Sequence, residues 1–157
     1  SFEKVILALK GVYSPIYQAM FPWLSLKKDI NEFIRKIGTY VFIFGLTGTL
    51  FLIVCSKYIL ESIFRDELIT SYNKGFQIIS IVMFLSGMNM LYNFLFLSAK
   101  KEYILRMKIL GTTSLIGLSL SLILTICFGI YGTIIAVVFT ELTLLIWGYF
   151  TYKKLTL

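Results

Sequence analysis

The chain has 157 residues, of which 58% are hydrophobic, and its mean hydropathy is +0.86. Soluble domains are about 45–50% apolar, so this composition excludes a water-soluble fold and indicates a membrane protein. The sequence contains no histidine, no glycine-rich phosphate loop and no aspartate-rich pair of the kind that Mg²⁺–diphosphate enzymes need. These features argue against an enzyme, a metal site and a cofactor.

Long uncharged segments predict five membrane-spanning helices, because about 20 apolar residues cross the hydrocarbon core of a bilayer. Their expected bounds are residues 5–25, 37–57, 75–98, 109–128 and 132–152. The last two spans share one long uncharged segment, which Gly129 and Gly132 divide by a tight turn. We therefore predict an all-α fold, a polytopic transmembrane helix bundle of about five spans, whose last two helices are antiparallel.

The first span carries polar residues on one face of an apolar helix. Lys10, Ser14 and Gln18 recur at every fourth position, and Pro15 frees the backbone carbonyl of Gly11. A membrane helix tolerates such a kink where neighbouring helices or water satisfy the freed group. A bent helix with a polar stripe is typical of a transporter, so Lys10, Ser14, Pro15 and Gln18 are candidate residues of a substrate cavity.

The segment after the first span, residues 27–36, is predicted to be a short amphipathic helix. Its apolar residues recur at helical spacing, with charged residues on the opposite side: Ile30, Phe33, Ile34 and Ile37. Such a helix lies on the membrane surface. Its basic residues would attract anionic membrane lipid, at about 1 kcal/mol each.

The third and fifth spans place further polar groups inside the membrane. Asn89 and Asn93 share one helix face, and an amide in hydrocarbon is costly unless it is paired. The two amides either bond a neighbouring helix or face a wet cavity. Glu141 is predicted to lie about 14 Å below the membrane surface, at about 1.5 Å per residue. All three are candidate cavity residues, and Lys10 has two alternatives, pairing with Glu141 or snorkelling to the headgroups.

The basic residues fall on one side of the predicted membrane. The loops 26–36 and 99–108 and the C-terminal tail carry most of them, whereas charges on the other side cancel. The positive-inside tendency places this basic side in the cytoplasm. We therefore expect a multi-pass protein of the cytoplasmic (inner) membrane with a cytoplasmic C-terminus. The net charge of +7 then needs no nucleic-acid partner.

Three segments carry a resemblance to a known family. They are FEKVILALKGVYSPIYQAMFPWLS near the start, LSAKKEYILRMKILG in the middle and FGIYGTIIAVVFTEL near the end. They resemble three parts of the polysaccharide (O-antigen or oligosaccharide) flippases of the Wzx type. These parts are the helix that opens the later portion, a basic cytoplasmic loop with its following helix, and the hinge between the last two helices. The outer loop ESIFRDEL departs from the family, whose members often carry a glycine there.

The resemblance implies a transporter of two six-helix lobes around a central cavity. Residues 1–157 would then be the C-terminal transmembrane lobe, incomplete because its first helix and the whole N-terminal lobe are missing. The implied substrate is undecaprenyl-diphosphate-linked oligosaccharide, flipped for surface polysaccharide such as the O-antigen of lipopolysaccharide. One alternative is a cation-coupled small-molecule or multidrug antiporter of the same exporter superfamily. Another is a purely structural membrane subunit.

Overall fold

The computed structural model describes residues 4, 7, 8, 11, 13–24, 26, 29–63 and 73–156, and over these residues all regular structure is helical. The predicted all-α fold is therefore confirmed. The helices are α1 (Ser14–Leu24), α2 (Ile30–Val54), α3 (Ser56–Ile63), α4 (Asn73–Asn89) and α5 (Tyr103–Thr156). Between α4 and α5, the chain continues through a π-helical segment (Met90–Phe96) and a last α-helical turn (Leu97–Ala99).

Three helical stretches are long and apolar enough to cross a membrane, which supports the assignment of a membrane protein. They are Ile30–Val54, Asn73–Ala99 and Tyr103–Thr156, with 25, 27 and 54 residues. The third is twice the length that one crossing needs. The count of five spans and the first span at residues 5–25 stay predictions.

The helix α5 folds back on itself at Gly129. This glycine has φ 58° and ψ −135°, a backbone conformation that residues with a side chain rarely adopt. The halves on either side, α5a (residues 103–128) and α5b (residues 130–156), are antiparallel, since Thr125 and Thr133 share a 2.8 Å hydrogen bond. Gly132 packs directly on the backbone of Leu124. The tight turn predicted here is confirmed, and it makes α5 a helical hairpin.

The first helix begins at Ser14, after a turn at Tyr13, although the described residues before the turn are also helical. Pro15 is the second residue of α1, a position where its missing N–H leaves no helical bond unmade. Tyr13 fits against Gly87 of α4, where a Cβ atom would lie 2.7 Å from the tyrosine ring. Tyr17 donates a 3.0 Å hydrogen bond to the carbonyl of Gly87. These two tyrosines attach α1 to the centre of the bundle.

The structure differs from the prediction for residues 27–36. The described part of this segment belongs to α2, which runs unbroken from Ile30 to Val54, so residue 36 is not a helix boundary. Ile34 is 1% exposed, and its apolar neighbours on the same stripe pack against the bundle core. The stripe continues through Val41, which also packs against this core. It therefore contacts protein, where the amphipathic pattern alone indicated a membrane surface.

The helix α4 and its continuation form the centre of the bundle. The main core surrounds this stretch and draws residues from α1, α2 and α5 as well: Tyr17, Leu24, Ile34, Leu91, Leu95, Phe96 and Ile109. The outer faces of α2 and α5 instead expose large apolar side chains, among them Phe42, Phe51, Leu122 and Ile126. This distribution suits a bundle whose outer surface contacts lipid.

One end of the bundle is basic. Here α2 begins, the stretch Asn73–Ala99 ends, and α5 both begins and ends. Ring contacts join these parts. The ring centroids of Phe96 and Tyr152 are 4.8 Å apart, and the Lys100 ammonium lies over the Phe96 ring. We call this the basic end, after its described basic residues: Arg35, Lys36, Lys100, Lys101, Arg106, Lys108, Lys153 and Lys154.

Candidate functional site

The candidate site is a cavity of about 450 Å³ between α1, the π-helical segment and the two halves of α5. Four of the predicted site residues line it: Ser14, Asn89, Asn93 and Glu141. Its other lining residues are Leu7, Gly11, Ser86, Met90, Phe94, Arg106, Leu110 and Leu144. The structure thus brings polar side chains from three separate predicted spans to one cavity, which we call the polar cavity.

Glu141 and Asn89 form the buried polar contact of this cavity. Glu141, on α5b, is 7% exposed, and Asn89, at the end of α4, is 4% exposed. The side-chain amide of Asn89 donates to the Glu141 carboxylate at 2.6 Å and to the Glu141 backbone carbonyl at 2.9 Å. A buried carboxylate is costly without hydrogen-bond donors. Asn89 supplies such a donor and fixes α4 against α5b.

Asn93 lies one turn further along, inside the π-helical segment. Its amide nitrogen donates to the backbone carbonyl of Leu144 at 3.2 Å. Gly148 permits this approach, because a Cβ atom there would lie 2.5 Å from the Asn93 amide nitrogen. π-Helical turns are rare and frequently occur at functional sites. The apolar sequence MLYNFLF gave no signal for a π-helix, so this feature was not predicted.

Two buried oxygens of the polar cavity have no hydrogen-bond donor among the described residues. They are the side-chain carbonyl oxygens of Asn89 and Asn93, whose residues are only 4% and 3% exposed. An unpaired buried acceptor costs about 1–3 kcal/mol. The sequence left two options for these amides, a bond to a neighbouring helix or a wet cavity. The amide nitrogens take the first option, since both bond α5b. The oxygens are buried and unpaired on two residues that line the cavity.

Arg106 contributes a cationic group to the cavity. Its guanidinium lies 4.5 Å from the centroid of the Phe94 ring and donates to the hydroxyl of Ser98 at 2.9 Å. No carboxylate among the described residues pairs with it. From the sequence, Arg106 was considered only as one of the basic residues that indicate the cytoplasmic side of the membrane. Its spacing of four residues from Leu110, at the start of a span, is the signal that places both on one helix face.

Two of the predicted residues, Gln18 and Pro15, are described but do not line the cavity. Gln18 is exposed and donates a 3.0 Å hydrogen bond to the Ser14 hydroxyl. Pro15 is also exposed. Lys10 lies outside the described residues, so its three interpretations stay open. Over the described part of the chain, no three acidic or cysteine side chains come together as metal ligands.

No family model, curated protein or solved structure matches this chain. The resemblance to flippases therefore stays a prediction that rests on the three quoted segments.

Proposed function

We propose that the chain is part of a membrane flippase that translocates undecaprenyl-diphosphate-linked oligosaccharide across the cytoplasmic membrane, for surface polysaccharide biosynthesis. The observation that carries the proposal is the pair of unpaired amide oxygens on Asn89 and Asn93, buried beside a cavity. Sugars present many hydroxyl donors, and a hydroxyl bound to each oxygen removes the cost of leaving it unpaired. Neutral acceptors of this kind suit a sugar's hydroxyl groups better than they suit an apolar drug.

The charge distribution of the polar cavity supports the same substrate class. Arg106 lies near the basic end, and Asn93, Asn89 and Glu141 follow further into the bundle. A guanidinium binds phosphate oxygens through paired N–H donors. The diphosphate would therefore lie beside Arg106 and the sugars beside the asparagines. No enzymatic step is part of this proposal, since translocation breaks no covalent bond.

Among the described residues, the polar cavity is only partly enclosed, which is compatible with a second lobe on its open side. Transporters built from two repeats or lobes place their substrate site at the interface between them. Here one lobe would supply α1, the π-helical segment and α5, and the N-terminal lobe of the same protein would supply the opposite wall. The basic end would face the cytoplasm and the anionic lipid of that leaflet.

A second candidate function is the cation-coupled antiporter, and Glu141 is the observation that favours it. Its buried carboxylate lies beside Asn89, whose side-chain oxygen is unpaired. Carboxylate and carbonyl oxygens are the ligands of hard cations. Under this proposal, the same cavity would bind a cation in exchange for a small molecule.

Complementation of a flippase-deficient strain with the full-length protein tests the first proposal, with surface polysaccharide as the readout. We expect the wild-type protein to restore polysaccharide. Asn93→Leu keeps the side-chain size but removes the unpaired oxygen together with the hydrogen bond to Leu144. Because one neutral hydrogen bond contributes only about 1 kcal/mol, protein abundance should stay normal while transport fails.

The matched control is Gln77→Leu, an amide on the same helix that bonds Ser56 and lies outside the polar cavity. This control should retain transport. If the wild-type protein instead confers drug resistance and restores no polysaccharide, the antiporter replaces the flippase. If Asn93→Leu transports normally at normal abundance, the asparagine oxygen has no role in substrate binding.

A further inference from the structure

A second cleft opens at the basic end, on the other side of the central helix. It has a volume of about 400 Å³ and lies between α2, the π-helical segment and the end of α5b. Among the described residues, none lines both this cleft and the polar cavity. The residues that matter for its chemistry are Arg35, Thr39, Phe42, Met88, Tyr92 and Tyr152.

The end of this cleft nearest the basic end offers hydrogen-bond donors. Arg35 is exposed, and no carboxylate among the described residues pairs with it. The neighbouring Lys36, in contrast, pairs with Glu32 at 2.9 Å. Tyr92 and Tyr152 have ring centroids 5.1 Å apart, and both residues line the cleft. A guanidinium and hydroxyl groups together are the donors that bind a phosphate.

The deeper part of the cleft is apolar. Phe42 lies two helical turns from Arg35, about 10 Å further from the basic end along α2. Its ring packs edge-on against Phe84 at 5.2 Å, and Phe42 remains 46% exposed on the outer face of the bundle. Met88 supplies the facing wall from α4. The cleft is therefore amphipathic, with donors at one end and an apolar wall that opens sideways to the surrounding lipid.

We propose that this cleft is a binding site for a phospholipid with an anionic headgroup, from the leaflet at the basic end. Arg35 and the two tyrosine hydroxyls bind the phosphate, and one acyl chain lies along Phe42 and Met88. An anionic phospholipid is the ligand that matches the charge of the site, because the surrounding basic end attracts anionic headgroups. The proposal does not depend on what the polar cavity transports.

A bound lipid would also join the helices that form the cleft walls. Arg35 and Phe42 belong to α2, Tyr92 to the π-helical segment and Tyr152 to α5b. A ligand that binds only the folded protein raises its melting temperature, and the stabilisation grows with the logarithm of the ligand concentration relative to the dissociation constant. Lipid binding is therefore measurable as a thermal shift in addition to a direct count of bound molecules.

The experiment uses the purified full-length protein in a neutral detergent. Phosphatidylglycerol is titrated in, and phosphatidylethanolamine serves as the comparison lipid. Native mass spectrometry counts bound lipid, and the melting temperature is followed in parallel. We expect phosphatidylglycerol to bind preferentially, and Arg35→Gln to weaken it about fivefold, the contribution of one cation at a membrane surface.

Lys36→Gln is the matched control, since it removes the same charge one residue away and outside the cleft. It should leave phosphatidylglycerol affinity nearly unchanged. Both variants should melt like the wild-type protein before lipid is added. Tyr152→Phe provides a second variant, which removes one donor without changing the charge and should weaken binding by a smaller factor.

Three results would overturn the proposal. Equal losses in Arg35→Gln and Lys36→Gln would mean that general surface charge attracts the lipid. Equal affinity for phosphatidylethanolamine would mean that the cleft does not discriminate between anionic and zwitterionic headgroups. A thermal shift of the same size with inorganic phosphate alone would mean that the site takes a free anion and no lipid chain.

Discussion

The central stretch Asn73–Ala99 and the hairpin α5 are both long enough to cross a membrane, yet they differ sharply in burial. We compare an apolar window of 18 residues in each. In the central stretch 61% of this window is buried, whereas in α5 only 17% is buried. The central stretch is also the less hydrophobic of the two. In water the more apolar helix would be the buried one. In a bilayer the lipid surrounds apolar faces at no cost, whereas polar groups need partners inside the bundle.

The largest expected effect concerns the orientation of the hairpin. α5 begins and ends at the basic end, so both of its ends lie on one side of the membrane if each half crosses it. A reporter that is active only outside the cytoplasm, fused after Leu157, should be inactive. The same reporter placed after Gly129 should be active. Activity after Leu157 would place the basic end outside the cell.

The second prediction distinguishes contact faces from lipid faces within α5. Gly132 touches the backbone of Leu124, whereas a Cβ atom at Gly111 would meet no other part of the described structure within 4 Å. Gly132→Leu must separate the two halves of the hairpin, at about 3 kcal/mol or more. We expect it to abolish accumulation of the protein in the membrane, measured by immunoblot.

Gly111→Leu is the matched control, with the same substitution in the same helix. It should accumulate at the wild-type level if that face of α5a contacts lipid. A defect as large as that of Gly132→Leu would mean that another protein segment packs on this face.

The sequence predicted the hairpin better than it predicted the central stretch. Gly129 in a long uncharged segment is enough to indicate a turn, because a glycine is the residue that such a backbone needs. The polar faces of Asn89 and Asn93 could also be predicted, since amides in hydrocarbon require partners. The π-helical segment could not, because a π-turn depends on which neighbours the backbone meets and leaves no periodic pattern.

Two further differences between the sequence-based predictions and the structure have a common physical origin. The stripe around Ile34 was predicted to lie on the membrane surface, and Arg106 was treated as a topological charge. Amphipathicity shows that a helix has an apolar face, but it does not say whether lipid or protein covers that face. In the same way, a basic residue near the end of a span indicates the cytoplasmic side of the membrane, but it does not say whether the side chain points to water or into a cavity.

A smaller effect is expected from the backbone of the turn itself. Gly129 has a positive φ and open space around its Cα, so Gly129→Ala strains the backbone without creating a clash. The expected cost is about 1–3 kcal/mol, measured as a lower melting temperature in detergent. The control is Gly111→Ala, which adds a methyl group to a regular helix and should be neutral or slightly stabilising. Equal stability of the two variants would contradict the conformation described for residue 129.

The smallest effect tests whether polar contacts hold the central stretch in place. Asn89→Ala removes both bonds to Glu141. Hydrogen bonds between membrane helices contribute modestly, so the loss should be about 1–2 kcal/mol, somewhat above average because the acceptor is a carboxylate. A double-mutant cycle with Glu141→Ala isolates the bond to the carboxylate, because the backbone carbonyl of residue 141 remains as an acceptor. If the carboxylate bond matters most, Asn89→Ala should cost less in the Glu141→Ala background than in the wild-type protein. Equal costs in both backgrounds would mean that the carboxylate contributes nothing to holding Asn89, and that the backbone bond and packing keep this less hydrophobic helix in the centre.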